Sequence, residues 1–125
     1  MRFAMHRLVV ALMSLSFVGV TASAEVACIK YHKCISVDAF TCDAITRSTA
    51  IRRVCYLQTE RYMVLWFKRR NGGSSEPYHF CELGSDVYKE FMAAPSMGTF
   101  YNQRIGGSRD RHGPFDCRDH PIPSL

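Results

Sequence analysis

The sequence predicts an α+β fold in which a three-stranded antiparallel sheet is followed by two short helices and stapled by disulfide bonds. Two observations predict it. Segments of strand composition, separated by polar turns, precede a stretch in which apolar residues recur at helical spacing. The chain also carries an even number of cysteines behind an export signal, which is typical of a disulfide framework. The six cysteines are Cys28, Cys34, Cys42, Cys55, Cys81 and Cys117.

Residues 1–24 predict a cleavable signal peptide, with a basic start, an apolar run over residues 8–20 and a final Ala-Ser-Ala. The run is too short for a membrane-spanning helix, which needs about 20 apolar residues. A lipoprotein signal ending at Cys28 is disfavoured, because Glu25 stands where such signals carry an aliphatic residue. We therefore expect an exported protein, periplasmic or extracellular, with no membrane span after the signal peptide is removed.

Removal of the signal peptide leaves 101 residues, the size of one domain. Two arginines leave with it, so the formal net charge falls from +5 to +3. That charge is ordinary for a soluble protein and by itself indicates neither a nucleic-acid binder nor a membrane binder. Behind the signal peptide we expect a cysteine-rich N-terminal segment at 25–47, a domain at 48–107, and a tail at 108–125 that Cys117 pins.

Three segments account for the predicted sheet. Residues Ile51–Leu57 form the first strand, and a polar turn at 58–61 follows. The second strand, Tyr62–Phe67, is apolar on both faces, so we expect it to be central and covered on both sides. A loop at 68–76 with an Asn-Gly-Gly turn leads to the third strand at 77–83.

Helical spacing begins after the third strand. Ser85 is the expected N-cap of a helix that Pro95 ends. Ser96 is expected to cap a second short helix, which Gly106-Gly107 ends. Because both helices carry apolar residues three and four positions apart, they should pack on one face of the sheet.

The pairing of the six cysteines is only partly predictable, because six cysteines allow 15 connectivities. The short spacing favours a local Cys28–Cys34 loop, beside a short strand at 34–37. We expect the remaining four cysteines to tie the two ends of the mature chain to the sheet.

Several segments together resemble the KTSC domain, a short bacterial domain found alone and at the C-terminus of some lysyl-tRNA synthetases. Three of them are the strand motif Val54-Cys55-Tyr56, the apolar strand Met63–Phe67 and the aromatic pair of Tyr78-His79-Phe80. The fourth is the segment 94–102, with the sequence APSMGTFYN. Phe80 stands where the family has a second tyrosine, and the resemblance covers about residues 48–107.

The resemblance is closest to exported single-domain members, which share the Phe-Asp-Cys-Arg of residues 115–118. The family implies no catalytic residue and no cofactor. RNA binding has been suggested for it from the synthetase context, so the resemblance implies a nucleic-acid-binding alternative.

Two cysteine–histidine spacings would suit a metal, Cys117-x-x-His120 and His79-x-Cys81, and His32 lies between the first two cysteines. Zinc needs free thiolates, whereas export favours their oxidation, so we expect no metal site. A cysteine nucleophile is disfavoured for the same reason. The sequence carries no nucleophile elbow and no phosphate-binding glycine loop. We therefore expect a protein that is not an enzyme, with a thiol- or metal-dependent enzyme as the second alternative.

Basic residues and aromatic residues of the predicted sheet supply candidate binding groups. The candidates are Arg52, Arg53, Lys68, Arg69, Arg70, Tyr78 and Phe80. A sheet face with aromatics and a basic rim is one way in which proteins stack single-stranded nucleic acid. We expect Trp66 and its neighbours to be core instead, because aromatics at strand spacing are usually buried. The favoured function is a non-catalytic binding module for an envelope protein, an anionic polymer or a small ligand, and nucleic-acid binding is the first alternative.

Overall fold

The computed structural model describes residues 23–73 and 75–125, together with Ser14, Ser16, Val18 and Gly19. Most of the predicted signal peptide therefore lies outside the described residues. The secondary structure confirms the predicted α+β class. Its strands are β1 (Val26–Cys28), β2 (Cys34–Ser36), β3 (Thr41–Ala44), β4 (Ile51–Leu57), β5 (Tyr62–Phe67) and β6 (Tyr78–Phe80). Its helices are α1 (Ser85–Ala93) and α2 (Met97–Phe100), with a 3-10 turn at Gln58–Glu60 and a π turn at Tyr101–Ile105.

The prediction of a three-stranded sheet is wrong. Strands β3 to β6 form a four-stranded antiparallel sheet in chain order, and β1 pairs with β2 in a separate hairpin. The missed strand, β3, is short and its side chains are mostly exposed, so it shows no apolar alternation. Its register places Cys42 opposite Cys55, and the disulfide between them joins it to β4.

Strand β5 is central, as its composition predicted. The side chains of Tyr62, Met63, Val64 and Leu65 are all buried, although they alternate between two faces of the sheet. We name these faces by what covers them. The helix face packs against α1, α2 and the π turn, and the hairpin face packs against the β1–β2 hairpin.

The helix face carries the larger core. Its fully buried side chains are Ile51, Val54, Met63, Leu65, Leu83, Phe91, Met97 and Ile105. Tyr56 joins this core, where its ring stacks on Tyr88 at 4.1 Å and its hydroxyl donates to the Leu83 carbonyl at 2.8 Å. The predicted packing of both helices on one face of the sheet is confirmed.

The hairpin face is smaller and richer in cysteine. Ala27, Ile29, Ile35 and Val37 of the hairpin pack against Val64 and its neighbours on the sheet. Cys55, Cys81 and Cys117 are buried in the same cluster. Because both faces are covered, the sheet has no open face.

The helix ends follow the sequence with one correction. Gly84, not Ser85, is the N-cap of α1, and Ser85 is its first residue. Ser96 caps α2 as predicted, since its Oγ accepts a hydrogen bond from the Thr99 amide at 3.2 Å. The chain then continues through the π turn to its C-cap at Gly106. No helix among the described residues is long and apolar enough to cross a membrane.

The structure pairs all six cysteines. The predicted Cys28–Cys34 bridge is present, and it closes the tip of the β1–β2 hairpin. Cys42–Cys55 ties the N-terminal segment to β4, and Cys81–Cys117 ties the tail to the chain just after β6. This arrangement agrees with the expectation that the last four cysteines attach the ends of the chain to the sheet.

Candidate ligand-binding cleft

A cleft of about 1230 Å³ opens beside β6, which is the edge strand of the sheet. Three segments border it: the hairpin tip at 29–33, the loop at 68–76 and the tail at 107–118. The cleft exists because β6 has a neighbour on one side only, while the hairpin and the tail touch its outer edge at opposite ends. There the Lys30 amide donates to the Pro77 carbonyl, and the Cys81 amide donates to the Phe115 carbonyl, both at 2.8 Å.

The floor of the cleft is a row of aromatic rings packed edge to face. Phe67 contacts Tyr78 at 5.6 Å and Tyr101 at 5.0 Å between ring centroids, and Tyr101 contacts Phe80 at 5.8 Å. Burial raises the pKa of Tyr101 to about 12, so its hydroxyl stays neutral at physiological pH. These rings give the cleft a rigid apolar base.

Lys30 connects the hairpin tip to this floor. Its Nζ donates to the Tyr78 hydroxyl at 2.9 Å, which raises the pKa of the lysine. The same ammonium group lies 5.1 Å from the centroid of the Tyr31 ring and 5.2 Å from that of the Tyr78 ring. Both distances are within the range of cation–π attraction. A permanent positive charge therefore lies between two aromatic rings at one end of the cleft.

His79 points to the opposite face of β6 from Tyr78, as the strand alternation predicted. Its Nδ1 lies 2.8 Å from the Tyr62 hydroxyl, and its ring lies 5.0 Å from that of His32. Burial, with the neighbouring His32, lowers the pKa of His79 to about 4. The ring is therefore neutral at pH 7, and its Nδ1 shares a hydrogen bond with the Tyr62 hydroxyl.

The tail forms one wall of the cleft, and the four residues Phe115 to Arg118 hold it in place. Asp116 forms an isolated antiparallel bridge with Phe80, and Cys117 is bonded to Cys81. Arg118 pairs with Asp116 at 2.6 Å and lowers the pKa of that carboxyl to about 2. The backbone bridge and the disulfide thus attach the tail at the end of β6, and the ion pair braces the tail internally.

Arg118 also secures the loop before it, because it donates to the Ser108 and Arg109 carbonyls at 3.1 Å each. Gly107 and Gly113 lie so close together that a β-carbon on either would overlap the backbone of the facing segment. The tail loop is therefore fixed at both of its ends.

Two arginines give the rim its free positive charge. Arg69 on the β5–β6 loop and Arg109 on the tail line the cleft, and neither forms an ion pair within the described part of the chain. Lys68 also lines it, but its Nζ donates to the Ser48 carbonyl. Guanidinium groups on both sides of an aromatic floor suit a carboxylate- or phosphate-bearing ligand.

The structure brings together only some of the predicted binding residues. Lys68, Arg69, Tyr78 and Phe80 all line the cleft, although Phe80 is nearly buried in the floor. The alternative of an open aromatic and basic sheet face does not form, because both faces of the sheet are covered.

The other three predicted residues lie elsewhere. Arg53 covers the Trp66 ring at 4.9 Å and pairs with Glu25 on the hairpin face. Arg52 and Arg70 are exposed and do not line the cleft. Trp66 is partly buried in the hairpin-face cluster, which agrees with the expectation that it belongs to the core.

Neither cysteine–histidine spacing produces a metal site. Cys81 and Cys117 are bonded to each other, so neither offers a thiolate to His79 or His120. Among residues 23–73 and 75–125, no group of three histidine, cysteine, aspartate or glutamate side chains is placed to hold a metal ion.

Comparison with known proteins identifies the central part of the chain. The sequence model of the KTSC domain matches residues 47–108. The chain carries a KTSC domain. A crystal structure of a KTSC domain protein from Yersinia pestis is 24% identical, with a TM-score of 0.47, and the match covers 56% of this chain and 90% of that one. No curated protein matches the chain.

The cleft lies where the KTSC domain meets the segments outside it. Phe67, Tyr78 and Tyr101 belong to the domain, whereas Lys30 and Arg109 belong to the N-terminal segment and the tail. Lys30 and Arg109 were not predicted, because their segments have no strand or helix periodicity. The one available signal was the Lys-Tyr-His of residues 30–32, between two cysteines that the analysis had paired.

Proposed function

We propose that this chain is a non-catalytic binding module whose anionic ligand occupies the cleft beside β6. The observation that carries the proposal is the pairing of a rigid aromatic floor with Arg69 on the β5–β6 loop and Arg109 on the tail, two segments that border the cleft. The cleft volume of about 1230 Å³ exceeds the roughly 300–1,000 Å³ of typical small-molecule sites. The cleft therefore has room for part of a polymer, and its rim charge favours an anionic polymer.

Export of the protein to the periplasm or the medium is part of this proposal. Three disulfides support it, because such bonds persist in oxidising compartments and are rare in the cytosol. An exported binding module would meet envelope polymers and envelope proteins, which are the partners expected from the sequence.

The chemistry around the cleft supports binding better than catalysis. All six cysteines are paired, so a thiol nucleophile would first require reduction of a bridge. Asp116 is held ionised by Arg118, and His79 Nδ1 shares a hydrogen bond with the Tyr62 hydroxyl. These two lining groups are therefore engaged in holding the structure together, and His32 and Glu76 are the other imidazole and carboxyl groups of the cleft.

The experiment compares two double variants that remove the same charge. Arg69→Ala/Arg109→Ala should weaken binding of the purified protein to polyglutamate, measured by titration calorimetry, by about tenfold or more, because charge-assisted contacts contribute about 1.5–3 kcal/mol each. Arg52→Ala/Arg70→Ala is the control, since those arginines lie outside the cleft, and its affinity should change less than threefold. Equal losses in the two variants, or no binding by the wild type, would contradict the proposal.

Nucleic-acid binding is a second candidate, favoured by the basic rim and by the fully exposed Tyr31 ring at its edge. Because both sheet faces are covered, single-stranded nucleic acid would have to bind in the cleft as well. Nucleic-acid binding predicts that a thymidylate oligomer binds with an affinity that falls steeply as the salt concentration rises from 50 to 200 mM. A thymidylate affinity well below that for polyglutamate would remove this candidate.

A further inference from the structure

Tyr31 is the one exposed aromatic side chain among the described residues. It is 93% exposed, whereas the other described aromatics are buried or partly buried in the two cores, the cleft floor or their margins. It stands at the tip of the β1–β2 hairpin, at the mouth of the cleft. Apart from the cation–π contact with Lys30, this ring is open to solvent and available to a ligand.

The backbone beneath this ring is fixed from several directions. The Cys28–Cys34 bridge closes the loop, and inside it the His32 amide donates to the Ile29 carbonyl at 3.0 Å. The hydrogen bond from the Lys30 amide to Pro77 fastens the tip to β6. Tyr31 is therefore an exposed side chain on a constrained backbone, which is the arrangement of a pre-organised contact.

The backbone conformation of Tyr31 points in the same direction. Its φ is +61°, in the left-handed region that favours glycine and disfavours a residue with a β-carbon. Non-glycine residues in this region cluster at ligand clamps, where the surrounding structure holds the strain. Arg61 and Glu82 share this conformation, but of the three only Tyr31 places an aromatic ring at the cleft.

The surroundings of the ring define what it would contact. The Lys30 ammonium lies over the Tyr31 ring, and the same group reaches the Tyr78 hydroxyl. Because Lys30 covers one face of the Tyr31 ring, a ligand ring would stack on the other face, and its negative substituent would extend past the ring edge toward the positive charges that line the cleft. Tyr31 and Lys30 together therefore suit a ligand ring that bears its own anionic group.

We infer that Tyr31 is a stacking platform for a sugar ring of an acidic polysaccharide, which runs from the hairpin tip into the cleft. This inference rests on the proposed function and names its ligand class. Proteins that bind single-stranded nucleic acid stack successive bases on several aromatic rings. Here Phe67, Tyr78 and Tyr101 pack against one another edge to face, so Tyr31 is the platform with an open face. A chain of acidic sugars can be held by one such platform when its carboxylates also contact the basic residues of the cleft.

The test compares three probes of matched charge by titration calorimetry at one salt concentration: hexagalacturonate, hexaglutamate and a seven-residue thymidylate. We expect hexagalacturonate to bind the wild-type protein most tightly. Tyr31→Ala should weaken that binding at least tenfold and change hexaglutamate binding less than twofold, because the peptide has no ring to stack. Tyr31→Phe should keep the affinity, and Val26→Ala, another exposed apolar residue of the hairpin, should have no effect.

A glycine variant separates a binding role from a structural one. Tyr31→Gly relieves the left-handed backbone, so its melting temperature should equal or exceed that of the wild type while its affinity for hexagalacturonate falls at least tenfold. A structural role would instead lower the melting temperature of every variant at this position.

Three outcomes would overturn the inference, and they are distinguishable. If no probe binds the wild type, the proposed function fails with it. If hexaglutamate binds as tightly as hexagalacturonate and Tyr31→Ala changes neither, charge alone drives binding and only the inference is wrong. If thymidylate binds most tightly and depends on Tyr31, the platform exists but its ligand is a nucleic acid.

Discussion

The two faces of the sheet are covered by different means. The helix face buries large side chains such as Met63, Leu65 and Phe91 and contains no disulfide in its core. Apart from Tyr62, the hairpin face buries smaller side chains, and every disulfide of the structure lies in it or in the hairpin that covers it. One face is held by apolar burial, and the other is held in large part by covalent bonds.

This difference follows the boundary of the KTSC domain. The match at residues 47–108 contains β4, β5, β6 and the helices, and every buried side chain of the helix-face core lies within it. Each disulfide has at least one cysteine outside that range: both in Cys28–Cys34, Cys42 in the second bridge and Cys117 in the third. The bridges therefore close the added hairpin and attach the added segments to a domain whose main core does not need them.

The largest effect should come from the helix face. Phe91→Ala removes a fully buried ring and should lower the free energy of unfolding by about 4 kcal/mol, because truncating a buried Phe loses transfer energy and leaves a cavity. Urea denaturation measures it. Val26→Ala, on an exposed hairpin position, is the control and should change the free energy by less than about 0.5 kcal/mol. A loss below about 1 kcal/mol for Phe91→Ala would show that the bridges, not this core, dominate stability.

The next effect should come from the longest covalent link. Cys81→Ala/Cys117→Ala removes a bridge with a sequence separation of 36 and should lower the free energy of unfolding by about 3 kcal/mol, largely by freeing the unfolded chain. The tail beyond residue 108 should become sensitive to protease, while the amides of β4 and β5 keep their protection from hydrogen exchange. Protease resistance of the tail in this variant would mean that Arg118 and Asp116 hold it without the bridge.

The helix face was the more predictable of the two. Strand β5 could be predicted because four consecutive apolar residues leave no exposed face. The capping role of Ser96 could be predicted because a serine directly before residues with helical spacing is a common N-cap. The hairpin face lacked such signals. Strand β3 is exposed along most of its length, and its place in the sheet depends on the register that pairs Cys42 with Cys55.

The cleft could be predicted only in part. Tyr78 was found because it lies on a recognisable strand, but Arg109 lies in an irregular tail whose position depends on distant contacts through Cys117 and Arg118. Tyr31 has no periodic signal, because neither its exposure nor its left-handed backbone can be read from the spacing of apolar residues. Binding residues on loops are set by tertiary contacts, and periodicity does not report those contacts.

A smaller effect is expected from the short bridge at the hairpin tip. Cys28→Ala/Cys34→Ala removes a bridge with a sequence separation of only 6, so the chain-entropy contribution is about 2 kcal/mol. Thermal unfolding of the variant should show a smaller loss than removal of the Cys81–Cys117 bridge. The reverse order would indicate that the hairpin, and not the tail, depends more on its covalent link.

The smallest effect should be a pH dependence that is confined to the hairpin face. His79 has a pKa of about 4 in the folded chain and an ordinary value of 6.5, so its neutral form contributes stability fully above pH 6.5. That contribution is lost as the pH falls from 6.5 toward 4, because His79 then binds a proton in the unfolded chain but not in the folded chain. The half-buried ring reduces the expected loss to about 1 kcal/mol. Unfolding by urea at pH 7 and at pH 4.5 measures it, and His79→Gln should flatten the difference.

The titration of Asp116 does not contribute to this pH dependence. Its pKa is lowered from 3.8 to about 2, so the stability it contributes is present above pH 3.8 and is lost only as the pH falls further. Hydrogen exchange at pH 4.5, compared with pH 7 after correction for intrinsic rates, should therefore show lost protection in the β1–β2 hairpin, which packs over the face where His79 lies. Helix α1 on the other face should lose less. Equal loss on both faces would mean that the sheet transmits the protonation of His79 to the helix core, and that the two faces respond as one unit.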